Sequence, residues 1–388
     1  MKKILIILSR VPYPLEKGDK LRAYHQIKIL SEKFEVILFA LNDPATPTTP
    51  EAVNVLGKFC SKVVIVNLTW PGIGLNIIRT FLSGRPLQTG YFYSSKAKKQ
   101  LDALILETKP DHIYCQLIRT AEYVKILNYS KTIDYMDALS KGIALRIPNA
   151  SFFMKFILNI ELKRLQKYEC SVYDYFNNHT IISEQDRDHI DHTRRSEISV
   201  VPNGVDTDYF QPSNHHKSYD IIFSGNMAYP PNIETAKYII TKVLPIVKRE
   251  LPMVKLVIAG ATPPLSVTSL ASERVIVTGW VEDMREFYLS SRVFIAPMHT
   301  SIGMQNKILE AMAMAIPCIT SSTANNAIKA IDGESVLIGE TPEEYAKHLI
   351  KMLKNDQYAQ KLGQNGYNFV ISRYSWTSST SKLIDIFA

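Results

Sequence analysis

The residue types best suited to chemistry stand between Gly303 and Glu310, around the first turn of a predicted helix. Gly303 lets backbone approach a ligand closely, and the free N–H groups near Met304 and Gln305 form an anion site. Lys307 adds a positive charge there. Glu310 lies three residues further on, nearly on the same helix face, where a carboxylate can accept hydrogen bonds from two ribose hydroxyls. The pattern suits a nucleoside diphosphate, with its phosphates at the helix N-terminus and its ribose on the glutamate.

A simpler interpretation of Lys307 and Glu310 stays open, because a lysine and a glutamate three residues apart on a helix commonly form a solvated ion pair. Small and apolar residues at positions 311–315 leave little exposed surface on this helix. A charge that loses its water needs a partner or a ligand. The setting therefore favours a binding site.

The elements that position these residues follow from apolar spacing. An apolar stripe predicts a helix over residues 305–315, flanked by short buried strands at 293–296 and 318–320. Similar apolar runs predict strands along the whole chain, at 3–8, 35–41, 62–67, 112–115, 131–135, 179–182 and 198–201, and again at 220–223, 255–259, 275–278 and 336–338. Continuous apolar strands separated by helices indicate an α/β fold with parallel sheets covered on both faces.

A second candidate segment, residues 9–25, connects the first predicted strand to the first predicted helix. Gly18 permits close backbone approach, Asp19 is suited to cap the helix, and Lys20 and Arg22 bring two cations to its start. The alternative is a capped helix with charged decoration. Ligands bind at loops that follow the strands of such sheets, which favours a functional role.

The segment GMQNKILEAMAMAIPCIT, residues 303–320, resembles the donor-site motif of family 4 retaining glycosyltransferases, and most closely that of exopolysaccharide-type sugar transferases with Gly-x-Gln-Asn-Lys. Glu310 matches the second glutamate of that motif, whereas Ile302 occupies the position of the first. The resemblance implies the GT-B fold, with two facing Rossmann-like domains. We expect an acceptor domain at 1–202, a donor domain at 203–374, and a helix at 375–388 that packs back on the first domain.

The resemblance also implies further site residues. Gly225 ends a strand beside the diphosphate, but Asn226 stands where the family commonly has an arginine, so Lys307, with His299 and Arg22 behind it, is expected to meet the phosphate charge. Val281 belongs to a segment that resembles the one bracketing the nucleotide base.

Two first-domain positions bear on the acceptor. Gln116 replaces the histidine base of many relatives, which a same-face transfer can tolerate when the leaving diphosphate takes the acceptor proton. Asp137 is a candidate for holding an acceptor hydroxyl. We expect no metal and no cofactor, with the nucleotide-sugar as substrate, and Asp283 is assigned as a helix cap.

Composition limits the possible classes. The 388 residues, 46% of them hydrophobic, suffice for two cores, and the four cysteines lack metal-ligand spacing. Residues 1–200 hold 28 Lys and Arg against 20 Asp and Glu, whereas residues 201–388 hold 17 of each. The net charge of +8 therefore lies in the first half, which indicates an anionic partner there. No aromatic and basic recognition motif indicates nucleic acid.

Residues 68–93 and 152–167 mix aromatic and basic residues, as interfacial membrane segments do, although a domain core with a solvated face fits nearly as well. Together these observations predict a cytoplasmic retaining glycosyltransferase, of hexosyltransferase type, with peripheral contact at the inner face of an anionic membrane. Its expected acceptor is a lipid-linked glycan in polysaccharide or glycan biosynthesis. The alternative is a weakly active or inactive relative that only binds nucleotide or glycan.

Overall fold

The computed structural model describes residues 1–15, 17–148, 150–300 and 304–388. The chain divides into two compact units: unit 1 comprises Met1–Pro202 with Thr380–Ala388, and unit 2 comprises Asn203–Ser379. Each unit is built on one parallel sheet. The predicted α/β class with two parallel sheets is confirmed.

Unit 1 contains a seven-stranded sheet in the order β3-β2-β1-β4-β5-β6-β7. Its strands are β1 (Lys3–Leu8), β2 (Glu35–Asn42), β3 (Lys62–Asn67), β4 (His112–Gln116), β5 (Ser130–Asp134), β6 (Asn178–Ile181) and β7 (Ser199–Val200). Its helices are α1 (Gly18–Leu30), α2 (Glu51–Leu56), α3 (Trp70–Leu82), α4 (Leu87–Phe92), α5 (Ser95–Thr108), α6 (Leu139–Ala144), α7 (Phe152–Tyr173) and α8 (Glu184–Arg187), with 3₁₀ turns at Ile118–Tyr123 and Arg195–Glu197.

Unit 2 contains a six-stranded sheet in the order β10-β9-β8-β11-β12-β13. Its strands are β8 (Tyr219–Ser224), β9 (Leu256–Ala259), β10 (Val275–Val277), β11 (Ser291–Ala296), β12 (Cys318–Thr320) and β13 (Leu337–Ile338). The helices that follow in chain order are α9 (Pro230–Tyr238), α10 (Leu244–Glu250), α11 (Leu265–Thr268), α12 (Met284–Leu289), α13 (Asn306–Ala313), α14 (Ser322–Ile328), α15 (Pro342–Lys354), α16 (Asp356–Tyr374) and α17 (Trp376–Phe387).

The sheets are buried as their apolar runs predict. Every residue of β9 and all but the first of β1 are buried, because helices cover both faces of each sheet. The last helix, α17, passes from unit 2 into unit 1 at Thr380, and its residues Leu383 and Phe387 pack in the unit 1 core against side chains of β1 and β2.

The helical segment between β8 and β9, residues 230–250, is interrupted in the structure. It forms α9 and α10, which are joined by a π-helical turn at Ile239–Val243. Pro245 explains the break, since proline has no N–H to donate and its ring clashes with the carbonyl four residues earlier. The wider π turn accommodates that carbonyl.

Strand order reverses at one place in each sheet, and these places locate the candidate site. In unit 1, β1 lies between β2 and β4; in unit 2, β8 lies between β9 and β11. The loops that leave two such neighbouring strands diverge to opposite faces and open a crevice at their carboxyl ends. Gly225 and the start of α13 both lie at the unit 2 crevice.

Candidate functional site

Lys307 lies in the first turn of α13 and reaches across the unit 2 crevice. Its Nζ donates to Asn232 Oδ1 at 2.5 Å and lies 5.0 Å from the centroid of the Phe223 ring. Burial disfavours the charged ammonium and lowers the pKa of Lys307 to about 7, although the Glu310 carboxylate opposes this shift. A nearby anion would favour the protonated, charged form of this side chain.

Glu310 accepts a hydrogen bond at the end of a chain of two hydroxyl groups. The Tyr288 hydroxyl donates to Glu310 Oε2 at 3.1 Å, and it lies 2.7 Å from Ser224 Oγ at the end of β8. A tyrosine hydroxyl has one proton, so Ser224 donates to Tyr288 when Tyr288 donates to Glu310. Burial raises the pKa of Glu310, while the Tyr288 hydrogen bond and the Lys307 charge lower it.

Gly225 is required by close packing at the end of β8. A Cβ on Gly225 would lie 2.7 Å from Asn232 Nδ2 and 3.0 Å from Lys307 Nζ. Asn232 Nδ2 also donates to the carbonyl of Asn226 at 2.8 Å, which closes the loop over this point. The absence of a side chain at Gly225 thus allows Lys307 to meet the loop between β8 and α9.

The side-chain oxygen of Asn226 is held by its own loop and by the loop that follows β9. Its Oδ1 accepts from the Ala228 N–H and from the Thr262 hydroxyl, both at 2.9 Å. Asn226 is exposed, and its assignment to donor binding stays a prediction. Its amide replaces the family's arginine without providing a cation.

The remaining donor-side predictions are placed as follows. His299 is exposed and makes an edge contact with Tyr238, at 5.0 Å between ring centroids. Met304 and Gln305 are buried beside the start of α13, where Gln305 is the N-cap residue. Gly303 and Ile302 lie outside the described residues.

Val281 lines a cavity of about 510 Å³ with Tyr209, Glu282, Asp283, Glu286 and Phe287. The Asp283 side chain accepts from the Arg285 N–H at 2.9 Å and pairs with the Arg285 guanidinium at 2.5 Å, so its assignment as the cap of α12 is confirmed. The guanidinium also lies 3.8 Å from the centroid of the Tyr209 ring. The Tyr209 ring thus provides a flat surface in the cavity that Val281 also lines.

The two predicted cations at the start of α1 are Lys20 and Arg22, and both side chains are buried. Arg22 is fully buried, and its Nε donates to Asp134 Oδ2 at 2.7 Å while Nη1 donates to the Pro202 carbonyl at 3.2 Å. Tyr114 donates to the same carboxylate oxygen at 2.8 Å. Lys20 is also buried. Arg22 thus directs its charge to Asp134 inside unit 1, whereas a phosphate-binding role of Lys20 stays a prediction.

Gly18 and Asp19 form the first turn of α1. Lys17, not Asp19, is the N-cap residue, and Asp19 instead pairs with Arg10 Nη1 at 2.8 Å. A Cβ on Gly18 would meet open space. Gln116 Nε2 donates to the Asp19 carbonyl at 3.3 Å, so the residue that replaces the family histidine holds this loop.

Sequence reasoning missed a group of polar and aromatic residues at the carboxyl edge of the unit 1 sheet. Arg10 also lies 3.4 Å from Asp43, which accepts from the Tyr91 hydroxyl at 2.8 Å. Arg10 and Arg119 both lie over the Phe92 ring, at 5.4 and 5.1 Å from its centroid. The sequence held a signal for this group, since Asp43 directly follows β2 and Arg10 stands two residues after the end of β1.

Asp137 belongs to the same edge. Burial and the nearby Asp186 carboxylate raise the pKa of Asp137 to about 6, while the charge of Arg119 lowers it. Burial lowers the pKa of Arg119 to about 10, and its Nε donates to Gln88 Oε1 at 2.9 Å. Charged donors, carboxylates and an aromatic ring together can bind the hydroxyls and the apolar faces of a sugar.

The described residues contain neither a candidate metal site nor a membrane-spanning helix. No cluster of three His, Cys, Asp or Glu among them has the arrangement of a metal site. No helix within residues 1–15, 17–148, 150–300 and 304–388 is long and apolar enough to cross a membrane.

Comparison with known proteins agrees with this geometry. Residues 218–355 match the family described as Glycosyl transferases group 1. An uncharacterized 44.6 kDa protein in the cps region of Klebsiella pneumoniae is 23% identical, over 96% of this chain and 97% of its own length. The UDP-Gal:α-D-GlcNAc-diphosphoundecaprenol α-1,3-galactosyltransferase of Escherichia coli is 24% identical, over 49% of this chain and 54% of that protein.

Solved structures share the fold at low identity. Sucrose-phosphate synthase from Thermosynechococcus elongatus has a TM-score of 0.69 at 15% identity, covering 100% of this chain and 98% of that one. The Anabaena HepE protein in complex with UDP-glucose has a TM-score of 0.67 at 14% identity, covering 99% of each. Residues 218–355 thus match a glycosyl transferase group 1 domain, within a chain that shares the two-domain GT-B fold of the solved glycosyltransferase structures it resembles.

Proposed function

We propose that this protein transfers a hexose from a nucleoside diphosphate sugar to a hydroxyl of a lipid-linked glycan, with retention at the anomeric carbon, in polysaccharide assembly. The observation on which the proposal chiefly rests is Lys307, held by Asn232 beside Gly225 at the point where the unit 2 strand order reverses. A buried lysine with a lowered pKa at a ligand crevice is a candidate for binding an anion.

In this proposal the donor diphosphate lies against Lys307 and the first N–H groups of α13. The two negative charges favour the ammonium form, so donor binding is accompanied by proton uptake on Lys307. Glu310, oriented by Tyr288, accepts hydrogen bonds from the ribose. Such a carboxylate selects the nucleoside, while the lysine stabilises the charge that develops on the leaving diphosphate.

The transfer itself needs no protein base in this scheme. The acceptor oxygen forms a bond to the anomeric carbon as the bond from that carbon to the phosphate oxygen breaks, and the acceptor proton passes to the leaving phosphate oxygen. This route agrees with Gln116 standing where many relatives have a histidine. The unit 1 edge around Arg10, Asp43 and Asp137 is proposed to bind the acceptor sugar.

The lipid-linked acceptor is proposed by analogy with the relatives. The E. coli relative is named for a diphosphoundecaprenol-linked acceptor, and the K. pneumoniae relative lies in a cps region. A third relative, 27% identical over 26% of this chain, is a capsular polysaccharide biosynthesis glycosyltransferase of Staphylococcus aureus. These names support polysaccharide assembly and leave the sugar to be determined.

The donor proposal is tested by thermal unfolding with UDP-galactose, UDP-glucose and GDP-mannose. We expect one donor to raise the melting temperature of the wild-type protein, because a ligand that binds only the folded state stabilises it. Glu310→Gln should lose this shift, whereas Glu273→Gln, an exposed carboxylate in the same unit, should keep it. Stabilisation of wild type and Glu310→Gln by the same amount would refute the assignment of Glu310.

A binding-only protein is the second candidate, favoured by Asn226, whose side-chain oxygen accepts from the Ala228 N–H, and by Gln116, whose amide donates to the Asp19 carbonyl. The two functions differ in turnover. Incubation of the stabilising donor with an N-acetylglucosamine diphospholipid should yield an extended glycolipid whose new linkage has the anomeric configuration of the donor. Donor binding without product would favour the binding-only protein, and a product of inverted configuration would refute retention.

A further inference from the structure

Helix α3 exposes apolar side chains along one face. Trp70, Leu75, Ile78, Phe81 and Leu82 are all exposed, Leu82 at 80%. At about 100° per residue they occupy an arc of about 140°. Ile73 and Thr80 are buried on the opposite side of the helix. The helix therefore has apolar residues on its solvent face as well as on its core face, which a helix of a globular protein ordinarily lacks.

The first turn of α7 is exposed in the same way. Phe152, Phe153 and Phe156 are 93%, 72% and 66% exposed. From Leu158 onward, the residues of α7 that point towards the core of unit 1 are buried. Three phenylalanines in solvent within five residues are unfavourable unless a partner covers them, because each leaves a large apolar area in water.

Contacts connect helices α3 and α7. The Arg164 guanidinium of α7 lies 4.9 Å from the centroid of the Phe81 ring of α3, and its Nη1 donates to the Arg85 carbonyl at 3.5 Å. Glu161 of α7 accepts from the Leu87 N–H at 2.9 Å, just after α3 ends. We call the exposed apolar residues of α3 and of the first turn of α7 the apolar surface.

The charged residues within the two segments that carry the apolar surface are almost all positive, although Arg85 pairs with Glu122 at 3.1 Å. Residues 70–93 contain Arg79 and Arg85 and no acidic residue. Residues 152–167 contain Lys155, Lys163, Arg164 and Lys167, and their single acidic residue, Glu161, is buried against backbone N–H groups. Apolar and aromatic side chains bordered by lysine and arginine match a bilayer surface with anionic headgroups, since the apolar groups enter the acyl boundary while the cations meet the phosphates.

We propose that the apolar surface docks unit 1 on an anionic lipid bilayer, with the three phenylalanines of α7 and the exposed face of α3 inserted into the interface. Within the described residues no helix could span a bilayer, so the contact is peripheral. The inference rests on the proposed function in one respect, because a lipid-linked acceptor is presented at such a surface. Docking itself is measured without donor or acceptor.

The test is cosedimentation of the full chain with vesicles of phosphatidylglycerol and phosphatidylcholine, compared with phosphatidylcholine alone. We expect binding to the anionic vesicles only, weakened at least about tenfold by Phe152→Ser combined with Phe153→Ser. The matched control combines Leu106→Ser with Ile126→Ser, which are similarly exposed apolar residues of unit 1 outside the apolar surface, and it should bind as wild type does. Lys163→Gln combined with Lys167→Gln should weaken binding and reduce its salt dependence.

Several results would overturn docking: absence of binding to anionic vesicles, equal binding to both vesicle types, or equal binding by the phenylalanine variant and wild type. A wild-type dimer in solution that the phenylalanine variant loses would instead assign the surface to a second copy of the chain. Donor-induced thermal stabilisation, measured on every variant, separates the two proposals. If vesicle binding fails but the donor still stabilises the protein, only the docking proposal is refuted. If no donor stabilises the wild-type protein, only the transferase proposal is refuted.

Discussion

Replacing Tyr288 with phenylalanine removes one hydroxyl and leaves the ring in place. The variant therefore measures the contribution of the hydrogen bond from Tyr288 to Glu310. That hydroxyl donates to Glu310 Oε2 at 3.1 Å, lies 2.7 Å from Ser224 Oγ, and belongs to a side chain with no exposed area. A hydrogen bond to a charged group contributes about 1.5–3 kcal/mol to stability, and a buried site offers little water to replace it. We expect the free energy of unfolding at pH 8 to fall by about that amount.

The pH dependence of this loss distinguishes a bond to a carboxylate from a packing effect. The Tyr288 bond favours the charged form of Glu310, so its removal raises the pKa of Glu310 in the folded state, above a value that burial has already raised. The pKa in the unfolded state does not change. The folded variant therefore takes up its proton at a higher pH than the wild type, and its stability deficit shrinks as the pH falls.

Urea unfolding of Tyr288→Phe and wild type at pH 8, 7, 6 and 5 measures this difference. Tyr219→Phe is the matched control, because the Tyr219 hydroxyl makes no hydrogen bond within the part of the chain that the structure describes. The reasoning is refuted if the deficit of Tyr288→Phe is the same at every pH, or if the control loses as much stability.

Three further predictions concern single side chains. The dissociation constant of the stabilising donor should rise by up to about tenfold per pH unit above pH 7, because burial lowers the Lys307 pKa to about 7 and only the ammonium attracts the diphosphate; calorimetric titration of wild type and Lys307→Gln checks this. Gly225→Ala should lose about 1–3 kcal/mol in urea unfolding and also lose donor binding, because its Cβ would lie 2.7 Å from Asn232 Nδ2. Arg22→Met should cost about 3–5 kcal/mol, again by urea unfolding, because it leaves the buried Asp134 carboxylate without its cation.

Each of these has a control or a contrary outcome. Lys307→Gln should bind the donor more weakly and without the slope above pH 7, and a slope that persists would assign the titration to another group. Gly142→Ala, where a Cβ meets nothing within 4 Å, should leave stability equal or higher. A loss below about 1 kcal/mol for Arg22→Met would show that water reaches Asp134 in the variant.

Much of the fold could be predicted because it depends on local pattern. The strands at Lys3–Leu8, Lys62–Asn67 and Cys318–Thr320 begin and end where their apolar runs do. Apart from Lys3, Lys62, Asn67 and Thr320, their residues are apolar, a pattern typical of strands in a sheet covered on both faces. The first turn of α13, with Lys307 and Glu310 on adjoining positions of one face, likewise follows from helical spacing.

The direction of a side chain and the identity of its hydrogen-bond partners could not be predicted from local sequence pattern. The same loop sequence predicts cations at a helix start whether Arg22 points to solvent or, as it does, to Asp134, 112 positions away in the chain. Similarly, nothing adjacent to Glu310 or Lys307 indicates Tyr288 or Asn232, which the order of strands β8 and β11 brings to the crevice. The elements, the parallel sheets and the helix that bears Lys307 and Glu310 were predictable from the sequence, since each depends on the apolar pattern of single segments. Which charges are buried in pairs and which face the crevice became known from the structure, because burial and hydrogen bonding depend on segments distant in the chain.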